Sequence, residues 1–68
     1  MASVEILEKW EEIKVLVESL ELDILKNARG NFTAGRRARK GLRLLKNLSS
    51  DLVRSTIEEE KTKKTTED

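Results

Sequence analysis

The chain contains no cysteine, histidine, proline or tyrosine, and only three glycines, one tryptophan and one phenylalanine among its 68 residues. Without cysteine there is neither a disulfide framework nor a thiol nucleophile, and without histidine an ordinary zinc set is excluded as well. No run approaches the roughly 20 apolar residues of a membrane span, and no basic patch followed by an apolar run marks a secretion signal. The expectation is therefore a soluble, cytoplasmic protein with no membrane partner. A chain this short makes one small domain, below the size at which a monomeric core usually suffices.

What the sequence has in abundance is charge, and the net value of +1 conceals how it is distributed. Residues 1–25 carry seven acids against Lys9 and Lys14, a balance of −5. Residues 26–54 carry nine bases against Asp51 alone, a balance of +8. Such asymmetry between segments points to an anionic partner for the basic one, or to two segments that neutralise each other within a hairpin.

The apolar pattern is helical throughout. Ile6, Trp10, Ile13, Val17, Leu20 and Ile24 recur at spacings of 4, 3, 4, 3 and 4, with Leu7, Leu16 and Leu25 widening the stripe. Ser3 is the expected N-cap and Glu5 suits the positive end of the helix dipole. These signals predict a helix over about 4–28. Gly30 can adopt the left-handed conformation that closes a helix, and a loop follows over about 29–33. Thr33 is the preferred N-cap of a second helix, with Asn31 as the alternative.

The second helix is expected over about 34–60. At about 100° per residue with Arg36 at zero, Ala34, Ala38, Gly41, Leu45, Leu48 and Leu52 cluster near 165°. Arg36, Arg39, Lys40, Arg43, Lys46 and Arg54 fall within about 80° of zero. Basic and apolar faces are thus opposed, with Arg37 on the flank. The polar segment 61–68 is expected to fray. Two helices of matched length and a short connection give an all-α, antiparallel helical hairpin, residues 1–60 forming a single domain. Small residues at 34, 38 and 41 let the backbones approach near the loop. Trp10, Ile13, Val17, Leu20, Leu45, Leu48 and Leu52 are the expected core and oligomer residues. Leu7, Trp10, Leu16, Leu44, Val53 and Ile57 are more apolar surface than one partner helix can cover, so self-association into a four-helix-bundle dimer or a higher oligomer is expected.

Catalysis is not expected. The carboxylates and lysines sit on amphipathic helices with no pocket to perturb them. Gly30 to Gly35 leads into Arg36-Arg37 and follows no strand, so it is not a phosphate loop. Glu58, Glu59 and Glu60 diverge by about 100° each on a helix and cannot converge on one ion. No cofactor, metal or small-molecule substrate is implied. Trp10 on the apolar seam reads as core, and Phe32 as a staple for the start of the second helix, ahead of a partner contact.

The feature left for function is the basic helix. Five cations of the eleven residues 36–46 share one phase, Arg37 adds a sixth beside them, and no acid intervenes between Asp23 and Asp51. Guanidinium and ammonium groups in a row suit phosphates, with Arg29 and the loop nearby. Lacking an aromatic platform and rich amide readout, such a face should grip the backbone with little sequence preference. The rivals are a protein-interaction module pairing acidic with basic helices, and a small RNA-binding regulator.

The run Gly30-Asn31-Phe32-Thr33-Ala34-Gly35-Arg36-Arg37-Ala38-Arg39-Lys40-Gly41-Leu42, followed by Leu45-Lys46 and Leu48, resembles the chlamydial histone-like (linker-histone-like) nucleoid protein family. The shared order covers about residues 10–57. The resemblance implies a nucleoid-associated, chromosome-condensing DNA-binding protein, with Arg37, Arg39, Lys40 and Lys46 as contacts. Phe32 and Arg36 stand where the family has smaller or polar residues. The chlamydial members also carry a long lysine- and alanine-rich tail, whereas this chain ends in Thr-Thr-Glu-Asp, so any bridging of DNA is expected to come from oligomers presenting several basic faces.

Overall fold

The computed structural model describes residues 3–62, and among these every regular element is helical. Helix α1 runs over Val4–Ala28 and helix α2 over Phe32–Thr62. The two pack antiparallel along their length in a rod of 52 × 16 × 16 Å. The segment 63–68, most of the frayed tail expected from sequence, lies outside the described residues.

The start of α1 and both sides of the turn are closed by identifiable devices. Ser3, in extended conformation, accepts the Ile6 N–H on its Oγ at 3.3 Å, and Glu5 occupies the first turn. At the other end of α1, Gly30 takes φ of 103°. That left-handed step, costly for any residue with a Cβ, turns the chain back. The Gly30 N–H then reaches the Asn27 carbonyl at 2.9 Å and the Asn31 N–H the Lys26 carbonyl at 3.0 Å. Two orphan carbonyls of the last turn are thereby satisfied.

Asn31 also opens α2. Its Oδ1 accepts the Ala34 N–H at 2.9 Å, and its carbonyl accepts both the Gly35 N–H at 3.1 Å and the Asn27 Nδ2–H at 3.2 Å. Asn31, not Thr33, is therefore the N-cap, and α2 starts at Phe32 instead of near 34. With one residue finishing the first helix and capping the next, the connection shortens to residues 29–31. Phe32 consequently stands on the first turn of α2 at 81 % exposure, and the staple expected from sequence does not form.

The interface between the helices is narrow and built of small residues. Ala34, Gly35 and Ala38 of α2 are buried, as are Ile13 and Leu20 of α1. A Cβ added at Gly41 would overlap Leu20 Cδ2, and one at Gly35 would overlap the Asn27 side-chain amide. The absence of side chains at these two positions sets how closely the rods lie. Gly41 thereby offsets its helix-propensity cost of about 1 kcal/mol.

Among the expected core residues, Ile13 and Leu20 are buried and Leu45, Leu48 and Leu52 half-buried. Trp10 and Val17, by contrast, remain 48 % and 47 % exposed, so the hairpin alone does not bury them. Leu7, Ile24, Leu42, Leu44 and Val53 are exposed too, as are Val15 and Leu22, which lie outside the heptad seam.

Candidate nucleic-acid interface

Because α2 turns its small and apolar face to α1, its opposite face is carried into solvent by geometry alone. Arg36, Arg39, Lys40, Arg43 and Lys46 are all exposed. None of the five has an ion pair among the described residues. Their Cα atoms span about 15 Å of helix, within the loop-proximal part of α2. Arg29 is exposed in the turn beside them. At the far end of the rod Glu5, Glu58 and Glu59 border one surface depression with Ser3 and Ile6. The rod is thus basic towards its turn and acidic towards its open end.

Arg37 is placed differently from its neighbours. Its Nη2 lies 3.0 Å from Asp23 Oδ1, and its Nε–H donates to the same oxygen at 3.1 Å. The Asp23 side chain is only 19 % exposed while that of Arg37 is 53 % exposed. About 100° round the helix from Arg36, Arg37 stands where it meets α1, beside a groove lined by Leu16, Leu20, Lys40, Gly41 and Leu44. The other ion pairs among the described residues are local, Lys9–Glu5, Lys14–Glu11 and Arg54–Asp51, each within one helix. Mutual neutralisation of an acidic and a basic helix accounts for one of the cations between positions 36 and 46 and leaves the rest open to solvent.

Among the described residues no group of three acids is arranged to hold a metal ion, and no helix is long and apolar enough to cross a membrane. The depression bordered by Val15, Leu16, Leu44 and Leu48 with Glu11, Glu12 and Ser19 is an open apolar groove between the helices.

Phe32 is the residue whose position is not anticipated by the sequence pattern. Its phase is readable: four residues before Arg36 on the same helix, it falls at about −40° on the wheel, inside the basic face. Assigning it to a loop removes it from the wheel, and that assignment follows from choosing Thr33 as the cap.

No curated protein and no solved structure matches the chain. A family model does, that of the histone H1-like protein Hc1, over residues 7–63, which takes in nearly all of α1, the turn and the whole of α2. A match across both helices and the turn between them places this chain in the Hc1 family of histone H1-like proteins.

Proposed function

We propose that the protein binds duplex DNA without sequence specificity through the exposed face of α2, and that it contributes to compaction of the nucleoid. The observation that carries this reading is the row Arg36, Arg39, Lys40, Arg43 and Lys46, exposed and without ion pairs among the described residues. Solvated faces of ordinary proteins mix charges of both signs; between positions 36 and 46 this one carries no acid. Membership of a histone-like, DNA-binding family, which is not a family of enzymes, supports the same reading.

The physics of such a face is counterion release. Each phosphate neutralised by an arginine or lysine frees condensed cations, which gives affinity without sequence information. With the acidic open end repelled by phosphates and the basic end attracted, the rod meets the duplex by its turn-proximal part. The apolar residues left on its flanks, Trp10, Val17, Leu42 and Val53 among them, favour a homodimer or higher oligomer of four-helix-bundle type. An oligomer with two or more basic faces can hold two duplex segments together.

The test is an electrophoretic shift with several unrelated duplexes at moderate salt, with single-stranded and hairpin RNA alongside. Equal retardation of all duplexes supports the proposal. Retardation of RNA alone would assign the face to a different nucleic acid, and no retardation would leave the row of cations without this role.

A further inference from the structure

We infer that Phe32 is a wedge that inserts between base pairs of the bound duplex, with Arg36, Arg39 and Arg43 gripping phosphates beside it. This rests on the reading of α2 as the DNA-binding face and specifies what that face does to DNA.

Three observations converge on Phe32. It is the most exposed large apolar residue among those described, at 81 %, although it stands on a well-capped helix and not at a loose end. Its phase is that of the cations: Arg36, Arg39 and Arg43 follow it by four, seven and eleven residues, the spacings that keep side chains on one face of a helix. The nearest of them lies about 6 Å along the axis. Finally, nothing in the hairpin can cover it. The packing face of α2 is about 155° away. Along α2 the next exposed large apolar residues, Leu42 and Leu44, lie about 15 and 18 Å further along the axis and about 80° and 120° away on the wheel, while Ile24 and Leu25 of α1 are exposed nearer the turn.

An aromatic ring at the head of a row of unpaired cations has a restricted choice of partners. An apolar protein surface would bring those arginines and lysines out of water without counter-charges, which is costly. A polyanion that also presents apolar, stackable faces satisfies both kinds of side chain at once, and nucleic acid is that substance. Apolar wedges of this type enter a base step from the minor groove, unstack it partly and bend the duplex. Pyrimidine–purine steps resist such unstacking least. The protein should therefore show a mild preference for duplexes rich in those steps even though it reads no base edges.

The experiment compares the full chain with Phe32→Ala and Phe32→Leu, measuring duplex affinity against salt and the end-to-end distance of a short doubly labelled duplex. With most of its surface already in solvent, Phe32 adds little to the packing of the hairpin, so both variants keep the helical circular dichroism of the parent. The expected result for Phe32→Ala is affinity about tenfold lower, an unchanged salt slope, and a duplex that no longer shortens end to end. Phe32→Leu, retaining an apolar wedge, should fall between. Equal affinity and equal shortening in Phe32→Ala and the parent would overturn the inference while leaving the proposed DNA face standing. So would a loss of self-association in Phe32→Ala without a change in DNA shape. A parent chain that binds no duplex would remove both.

Discussion

Arg37 and Asp23 form an ion pair across the hairpin, Nη2 to Oδ1 at 3.0 Å, with the carboxylate largely sheltered and the guanidinium half in solvent. This pairing separates two uses of positive charge on α2. One cation ties the helices together near the turn, and the five around it stay available to an external partner.

The pair yields a prediction in which stability and binding move in opposite directions. Asp23→Asn removes the charge that holds Arg37, and a partly exposed pair of this kind is worth up to about 1 kcal/mol. For a domain this small that lowers the melting temperature by about 4–8 °C per kcal/mol. The freed Arg37 then reaches phosphate, so the salt dependence of DNA binding steepens, by at most about 0.9 in slope. Thermal unfolding and a salt titration of the same sample check both halves.

The cap assignment separates Asn31 from Thr33. Asn31→Ala removes the acceptor of the Ala34 N–H and should cost about 1 kcal/mol. Thr33→Ala, already inside α2, should change stability by less than about 0.5 kcal/mol. Urea denaturation of the two variants decides between them.

Close approach at Gly41 is tested by coupling it to Leu20. Gly41→Ala alone introduces a Cβ that overlaps Leu20 Cδ2, and this overpacking of about 1–3 kcal/mol outweighs the gain in helix propensity. In a Leu20→Ala background the overlap is gone, and the same Gly41→Ala change should then stabilise. A double-mutant cycle by denaturant titration measures the reversal of sign.

Much of this architecture is legible before any coordinates. The alternation of 3 and 4 in the apolar spacing, the absence of proline and the left-handed tolerance of Gly30 suffice for an all-α hairpin. Angular separation of Arg36, Arg39, Lys40, Arg43 and Lys46 from Ala38, Leu45 and Leu52 suffices for a basic outer face. Two features are hidden. Whether Asn31 or Thr33 caps α2 depends on how tightly the chain can turn after Gly30, and both residues are good caps by type. Choosing the later one takes Phe32 off the helix and so off the basic face. Which cation pairs with Asp23 depends on the register between the helices, fixed by close approaches such as Leu20 against Gly41, residues separated by about twenty positions of sequence.

The central claim is that cations on the outer face of α2 neutralise DNA phosphates, and the salt dependence of duplex binding tests it most directly. The parent chain should show log affinity falling linearly with log salt. Replacing Arg36, Arg39, Lys40 and Arg43 by glutamine should reduce that slope by about 0.9 for each phosphate no longer neutralised, with the helical content of the hairpin retained. An identical slope in the parent and the fourfold variant would contradict the account.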